Sequence, residues 1–428
     1  MMYKQAKAGL LSWSPFYRTA PLLPIPLALL GPLVYATPLG TVPGLLLLGL
    51  AAGATAWRAQ AFDARRVLRS FAVLGPLLVW MLVSAGWALD AQAALLLGLR
   101  LTGLFAVGAA LVHWAGTLPP ERLGPCLAAL AGGLTLAGAI VVIDLLALDG
   151  FIARHLHAPH GEHYDIALFY GRGATIHAVL IIPLLLGLWR AGARPLAVLQ
   201  LAVGVAAIFV TSSLSAKTAL SAGFVAGAVI FALPRLRYAL LAVLALAAAA
   251  GPLLLPVHPD EATVCWMANH KASALHRLYI WNFAAERIAE HPVLGWGLDA
   301  ARRIPGGNDR VVIRGCDAEL QPTRVLWVDS TVMPLHPHNA ILQTWLELGG
   351  IGALFGFGAL LLVLWRAFSH PAWRNRRAQA GFVGATCAGL SVAMVSFGIW
   401  QEWFLASLFI AAAMAVLSAR QDEAQARR

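Results

Sequence analysis

The sequence predicts an all-α protein that crosses a membrane about twelve times. Of its 428 residues, 60% are hydrophobic and only 12% are charged, whereas soluble domains carry about a quarter charged residues. Apolar stretches of about 20 residues recur along the chain, and this is the length that an α-helix needs to cross roughly 30 Å of hydrocarbon. These observations exclude soluble enzymes, disordered proteins and secreted disulfide scaffolds.

The predicted spans follow one another closely up to residue 256 and resume after residue 338. In order, they are 20–36, 39–57, 70–89, 92–114, 124–148, 173–190, 196–213, 218–234, 238–256, 339–367, 379–398 and 401–419. The chain is therefore divided into a membrane region of nine spans (1–256), a polar loop (257–338) and a membrane region of three spans (339–428).

Basic residues predict the orientation of these spans, because cytoplasmic loops are enriched in Lys and Arg. With a cytoplasmic N-terminus, nineteen of the 31 Lys and Arg residues fall in cytoplasmic segments. The short loops on the opposite side hold three, namely Arg154, Arg172 and Lys217. The net charge of +11 is thus interpreted as a topology signal and not as a nucleic-acid-binding surface. Both termini are expected in the cytoplasm and the polar loop on the opposite side.

The polar loop is long enough to expect a function, since loops of this length without one are uncommon. Ser273 is a candidate N-cap for an amphipathic helix that runs to about Glu290 and lies on the membrane surface. The turn at 292–297 contains two glycines, where the backbone must bend sharply. Cys265 and Cys316 both lie in the loop, and the sequence leaves open whether they form a disulfide or stay free thiols.

The loop ends in His336-Pro337-His338-Asn339, and Glu347 follows inside the tenth span. A histidine can take up a proton near neutral pH, but a His-x-His pair also suits a metal site, and a solvated polar role is the common alternative. An ionisable residue within a span is costly and indicates a functional or paired position. Glu347 lies about two and a half turns after His338, on the opposite side of an ideal helix. It is therefore predicted to be a buried structural partner.

Two other charged residues fall within predicted spans. Arg100 lies in the fourth and Asp144 near the end of the fifth. Because consecutive spans often pack together, an ion pair between them is the first interpretation, and a proton or substrate path is the second.

Three motifs resemble those of the O-antigen ligase and polymerase superfamily. They are Arg277-Leu278-Tyr279-Ile280-Trp281, then His291-Pro292-Val293-Leu294-Gly295-Trp296-Gly297, then His338-Asn339 with Leu342, Glu347, Gly349 and Gly350. Their order matches the family, as does the large loop between two late spans. His276 departs from the pattern, because a Gly or Ser is common before the loop arginine. The resemblance implies a membrane glycosyltransferase (GT-C-like) fold, and in size the chain is most similar to the O-antigen ligases.

The resemblance also implies an activity at the periplasmic face of a Gram-negative inner membrane. A glycan would pass from undecaprenyl-diphosphate-linked O-antigen to a sugar hydroxyl of the lipid A-core oligosaccharide, with inversion and without a cofactor. Membrane lipids are the other expected partners, and no nucleic acid is expected. A polymerase or a protein O-oligosaccharyltransferase would use the same chemistry on another acceptor. A secondary transporter is the alternative from a different class, although no paired interrupted spans favour it.

The family pattern assigns roles to individual residues. His338 is the expected base, and Arg172, Lys217 and Arg277 are expected to hold the diphosphate. For each cation the alternative is snorkelling to lipid headgroups. Supporting positions are His336, Asn339, Trp281 and Glu347. Arg302 and Arg303 are candidate acceptor contacts, with a solvated loop pair as the alternative. The loop acidic residues form no Asp-x-Asp pair, so a metal-independent reaction is predicted.

Overall fold

A computed structural model describes residues 23–58, 64–118, 120–156, 166–316, 328–370 and 375–426. Residues 20–22 of the first predicted span lie outside the described residues. Within the described parts the chain is helical apart from short connections and one small two-stranded sheet. The expected all-α class is confirmed.

Helices occupy the chain in the following order. The first membrane region contains α1 (Pro24–Ala36), α2 (Thr41–Arg58), α3 (Ala64–Ala72), α4 (Gly75–Val83), α5 (Ala91–Ala115), α6 (Pro120–Ala147), α7 (Phe151–Leu156), α8 (Gly171–Arg190), α9 (Arg194–Val210), α10 (Leu214–Ala232) and α11 (Leu236–Leu254). The polar loop contains α12 (Glu261–Glu290) and the antiparallel strands β1 (Arg310–Ile313) and β2 (Val328–Thr331). The last region contains α13 (Ala340–Ser369), α14 (Arg376–Val395) and α15 (Glu402–Ala426).

Every predicted span coincides with an apolar helix. Nine helices in the described ranges are long and apolar enough to cross a membrane. The other three predicted spans correspond to the shorter apolar helices Pro24–Ala36, Gly75–Gly86 and Arg194–Val210. The protein is a multi-pass membrane protein. In the part of the chain that the structure describes, the twelve predicted spans correspond to nine helices of full length and three shorter ones.

The helix α8 lies at the centre of the bundle and packs against α9, α10, α14 and α15. A chain of buried hydrogen bonds joins it to three neighbours: His177 on α8 bonds Tyr35 on α1 (2.8 Å) and Gln200 on α9 (2.7 Å). Gln200 in turn accepts from Thr135 on α6 at 2.5 Å. Polar pairs of this kind hold helices together where apolar burial gives little preference.

The helices α10 and α14 approach each other at backbone distance. A Cβ added to Gly223 would lie 2.9 Å from the carbonyl oxygen of Gly384, and one added to Gly384 would lie 2.7 Å from that of Gly223. Only glycine on both helices allows this separation, as at other small-residue interfaces in membranes. The two helices are therefore closely fixed to each other.

The predicted ion pair between Arg100 and Asp144 is wrong. Arg100 pairs instead with Glu402 (Nε to Oε1, 3.1 Å), because α5 packs against α15. Asp144 is fully buried and accepts hydrogen bonds from the Tyr170 hydroxyl (2.7 Å) and from two backbone N–H groups at the start of α7. Consecutive spans need not be neighbours, and α6 packs against α1 and α9.

The loop helix α12 contains the predicted segment 273–290 but begins earlier, at Glu261, with non-helical backbone at Lys271. Its side chains Ile280, Ala284 and Ile288 are buried in one cluster with Leu342 and Leu346 of α13. The first turns of α13 therefore cover this face of α12. The position of α12 on the membrane surface stays a prediction.

A disulfide between Cys265 and Cys316, with the two Cα atoms 5.4 Å apart, ties α12 to the segment that follows β1. This settles the pairing that the sequence left open.

The helix α13 is broken at Gly349, where φ is +64°. The turn 292–297 supplies the missing hydrogen bonds: Trp296 N–H donates to the carbonyl of Leu346 (2.9 Å) and Gly297 N–H to that of Glu347 (2.8 Å). In the other direction, Gly350 N–H donates to the carbonyl of Pro292 at 2.8 Å. The turn thus pairs with the backbone on both sides of the break, and the polar loop is anchored to a membrane helix.

We expect Gly349→Ala to destabilise the protein, because its Cβ would lie 2.2 Å from the carbonyl oxygen of Val293 and its backbone would be left-handed. The free energy of unfolding should fall by about 2 kcal/mol or more, seen as a lower thermal midpoint in detergent. Gly103→Ala is the control, since nothing lies within 4 Å of a Cβ there. A wild-type midpoint for Gly349→Ala would contradict the anchoring role of the break.

Candidate functional site

The ends of several helices meet at the side of the bundle that carries residues 257–316 and 328–338, which we call the loop face. The first turns of α8, α10 and α13 lie there, together with the connection between α14 and α15. Asn339 caps α13 by accepting from the N–H groups of Ile341 (3.0 Å) and Leu342 (3.1 Å). Its side-chain amide also donates to the carbonyl of Met394 at 3.1 Å. The start of α13 is thereby fixed to the end of α14.

The ring of His338 is held at one nitrogen and open at the other. Its Nδ1 contacts the backbone carbonyl oxygen of Ser396. Because a carbonyl can only accept, Nδ1 carries the proton in the neutral ring and Nε2 keeps its lone pair. Among the described residues Nε2 has no hydrogen-bond partner, and the side chain is part-exposed. The neutral ring is therefore arranged to accept a proton at Nε2.

Burial lowers the pKa of His338 below its usual 6.5, and the positive charge of Arg277 and the neighbouring His276 act in the same direction. The bond to the Ser396 carbonyl opposes them, since it stabilises the protonated ring. The net effect is a lowered pKa for His338, so the neutral, proton-accepting form of its ring dominates at neutral pH.

The backbone of His338 has φ of +55°, a left-handed conformation that is uncommon outside glycine. Its N–H donates to Nδ1 of His336 at 3.1 Å, and Trp281 Nε1 donates to the carbonyl of Pro337 at 2.9 Å. The two histidine rings lie 4.3 Å apart between centroids. Strain of this kind persists only where the surroundings fix it, and it is frequent at functional sites.

His336 is buried beneath this motif. Its Nδ1 accepts from His338 N–H, so Nε2 carries the proton in the neutral ring. Nε2 lies 3.2 Å from the backbone nitrogen of Gly398 and 3.3 Å from the side-chain amide of Gln401. Burial, followed by the charges of His338, Arg302 and Arg277, lowers the pKa of His336 to about 3. His336 is therefore neutral at physiological pH and supports the His338 backbone.

The carboxylate of Glu347 is buried behind the site. It accepts from Asp299 N–H (2.8 Å), Trp400 Nε1 (2.9 Å) and Gln343 Nε2 (3.1 Å). The structure thus places Glu347 among donors from the loop, from α13 and from the α14–α15 connection. It contacts the scaffold of the site and not the open side of His338.

Of the three predicted diphosphate ligands, Arg277 is the one whose positive charge lowers the pKa of both His336 and His338. It is half-buried on α12, and its Nη1 donates to the carbonyl of Ser273 at 3.2 Å. Its buried Nε–H has no acceptor among the described residues. A buried, unpaired guanidinium donor suits an anionic ligand.

Arg172 and Lys217 lie in the first turns of α8 and α10. Arg172 is exposed, and Lys217 is half-buried with its Nζ 5.8 Å from the ring centroid of Phe209. These turns are joined by a 3.2 Å contact between the hydroxyls of Thr175 and Ser213. Helix N-termini attract anions. The structure brings both cations to the loop face, without a direct bond to His338.

Arg302 and Arg303, the candidate acceptor contacts, are exposed and already paired with carboxylates. Arg302 Nε lies 2.8 Å from Asp299, and Arg303 lies 2.9 Å from Asp90. His276, the departure from the family pattern, bonds the carbonyl of Thr331 on β2 at 3.0 Å. In the part of the chain that the structure describes, no three His, Cys, Asp or Glu side chains form a group that could hold a metal ion.

The segment 396–401 was missed by sequence reasoning. The eleventh predicted span ran to residue 398, whereas α14 ends at Val395. Ser396, Trp400 and Gln401 contact His338, Glu347 and His336 respectively. Polar residues and a glycine between two apolar stretches were the available signal, but hydropathy alone does not distinguish a loop from a span end.

Known proteins are similar to this chain over the segment that contains most of the site. Residues 164–357 match the family model described as O-antigen ligase. A Rickettsia conorii protein named "Putative polysaccharide ligase" is 34% identical over 203 residues, 46% of this chain and 45% of that protein. Proteins of the same name from Rickettsia felis and Rickettsia prowazekii are each 32% identical, over 205 and 204 residues. The chain spans just under half the length of these relatives. The matched segment contains all three motifs, so the resemblance drawn from them is confirmed.

The buried His336 predicts a specific loss of stability in acid. Its pKa is about 3 in the folded protein and about 6.5 when unfolded, so the unfolded state binds more protons between these values. Stability is present above pH 6.5 and falls as pH decreases toward 3, by up to about 1.4 kcal/mol per pH unit. We expect His336→Gln to flatten the pH dependence of the unfolding midpoint in this window.

The matched control is His270→Gln, because His270 is exposed on the first part of α12, away from the motif. It should leave the slope as in wild type. Parallel curves for wild type and His336→Gln would show that His336 does not contribute to the acid sensitivity.

Proposed function

We propose that this protein is an O-antigen ligase that transfers a glycan from undecaprenyl diphosphate to a sugar hydroxyl of lipid A-core. The observation that carries this proposal is the state of His338: Nδ1 is committed to the Ser396 carbonyl and Nε2 keeps a lone pair at the loop face. An acceptor hydroxyl must lose a proton to attack, and a neutral imidazole held in one tautomer can accept it.

The reaction is a single displacement. The acceptor oxygen forms a bond to the anomeric carbon while its proton passes to Nε2 of His338. The bond from the anomeric carbon to the diphosphate oxygen breaks, and the diphosphate leaves with that electron pair. Attack opposite the leaving group inverts the anomeric configuration, and no covalent glycosyl-enzyme intermediate forms.

Charge on the departing diphosphate increases as the bond breaks. Arg277, with its unpaired buried Nε–H, is placed to stabilise this charge beside His338. Arg172 and Lys217 supply two further cations at helix N-termini. Fixed cations can replace the divalent metal that other transferases use, so we propose a metal-independent reaction.

We also propose that the loop face is periplasmic and that the termini lie in the cytoplasm of a Gram-negative cell. The distribution of basic residues supports this orientation. The donor then reaches the site from the membrane, and the acceptor reaches it from the same leaflet.

A polymerase acting on a second carrier-linked glycan, or a protein O-oligosaccharyltransferase acting on Ser or Thr, would use the same residues. The names of the Rickettsia relatives refer to polysaccharide ligation, which supports the transfer of a glycan.

Transfer by the purified protein tests the proposal. With carrier-linked glycan, lipid A-core and a chelator, wild type should shift the core lipid to larger size, and His338→Ala should remain folded without transferring. The acid limb of the kcat profile should have its midpoint below pH 6.5, because the pKa of His338 is lowered and the neutral form is the active one.

Each alternative result is informative. Lengthening of the carrier-linked glycan alone would support a polymerase, and glycosylation of a peptide would support a protein transferase. Activity in His338→Ala would remove the base assignment, and loss of transfer with the chelator would contradict metal independence.

Arg277 should matter chiefly through the donor. We expect Arg277→Gln to lower kcat/KM for the carrier-linked glycan by about tenfold to a hundredfold, corresponding to the loss of one charge-assisted contact of roughly 1.5–3 kcal/mol. Arg277→Lys should recover part of the loss. Arg310→Gln is the control, because Arg310 is exposed on β1 and pairs only with Asp329 in the described structure. Equal values for Arg277→Gln and Arg310→Gln would exclude a donor contact at Arg277.

A further inference from the structure

The connection between α14 and α15 runs directly behind the histidine motif. Two of its residues donate to the scaffold: Ile399 N–H donates to the side chain of Gln343 at 2.9 Å, and Trp400 Nε1 donates to Glu347. The backbone nitrogen of Gly398 lies 3.2 Å from Nε2 of His336. The connection is therefore fixed to α13 on one side.

Ser396 opens this connection and has contacts in two directions. Its carbonyl accepts from Nδ1 of His338, and its hydroxyl lies 2.6 Å from the hydroxyl of Ser215. The residue is only 5% exposed. In the described structure its side chain has Ser215 as its hydrogen-bond partner. Ser396 thus contacts both the histidine motif and the first turn of α10.

Ser215 lies in the first turn of α10, two residues before Lys217. Ser213, the N-cap of this turn, accepts from Ala216 N–H at 3.2 Å and contacts Thr175 on α8. Further along, α10 and α14 are fixed by the close approach of Gly223 and Gly384. The two serine hydroxyls therefore join helix ends whose separation is already set.

We propose that Ser396 and Ser215 are positioning residues, and that their hydroxyl pair couples the helix end bearing Lys217 to the tautomer of His338. This inference rests on the proposed function. The pair holds the Ser396 carbonyl against Nδ1, which keeps the proton-accepting lone pair on Nε2. Diphosphate bound at the N-terminus of α10 would act on the same hydroxyl pair. Donor binding is therefore linked to the fraction of His338 that keeps its lone pair on Nε2.

Loss of either hydroxyl should weaken the base without removing a substrate contact. A carbonyl free to turn no longer selects the Nδ1–H tautomer, so a smaller fraction of His338 presents Nε2 for proton transfer. The same bond favours the protonated ring, so its loss also makes the ring a weaker base.

The test is kinetic and uses the full chain in detergent. For Ser215→Ala and Ser396→Ala we expect kcat about tenfold lower, KM for the carrier-linked glycan changed less than twofold, and the acid limb moved to lower pH. The double variant should resemble each single one, because either substitution removes the same bond. Additive losses, or wild-type kcat and pH profile in the single variants, would overturn the coupling.

Shape and stability are controlled by matched variants. Ser215→Thr keeps the hydroxyl and should retain near wild-type kcat, whereas Ser215→Val has the same shape without it and should show the tenfold loss. Ser391→Ala removes a hydroxyl of α14 that bonds only the Ala388 carbonyl in the described structure, and it should change nothing. Equal kcat for the Thr and Val variants would also overturn the proposal.

Wild-type and His338→Ala protein in the same assay separate the two levels of inference. No transfer by wild type would overturn the proposed function and the positioning role with it. Transfer by wild type, none by His338→Ala, and unchanged kinetics in the serine variants would leave the proposed function intact and remove only the positioning role.

Discussion

Backbone hydrogen bonding inside a membrane is the constraint on which this structure depends, because unpaired N–H and C=O groups are too costly in lipid. At Gly349 the helix α13 breaks this rule locally, and the turn 292–297 restores the pairing from outside the helix. The repair fixes the polar loop to the bundle. It also brings Asp299 N–H to Glu347, so the scaffold behind the histidine motif follows from the same break.

The histidine motif combines features that oppose each other. Burial and nearby positive charge keep His338 neutral, which frees its lone pair but weakens it as a base. The Ser396 carbonyl restores some basicity and at the same time fixes the tautomer. The positive charge of Arg277, which would stabilise a diphosphate, also disfavours protonation of His338. The carbonyl of Ser396 partly offsets this effect by stabilising the protonated ring.

Hydropathy was sufficient to locate the membrane helices, since the signal for a span lies within the span itself. The motifs that resemble the family contain both His338 and Arg277, and in the fold the charge of Arg277 lowers the pKa of His338. Contacts between residues far apart in the sequence could not be predicted in this way. Arg100 pairs with Glu402, some three hundred residues away, and the apolar face of α12 finds α13, which follows it by fifty residues. Neither contact produces a local sequence pattern. The contact of Ser396 with His338 was not predicted either, because Ser396 lies at the end of a predicted span.

The partner of His338 lies 58 residues further along the chain. During synthesis, a chain that has emerged as far as α13 already contains the whole polar loop and every residue of the three motifs. It still lacks the carbonyl that selects the tautomer, and it lacks Trp400, which closes the donor set around Glu347. Since domains are built from the N-terminus during translation, the hydrogen bonds that define this site form only after α14 and the start of α15 have been inserted.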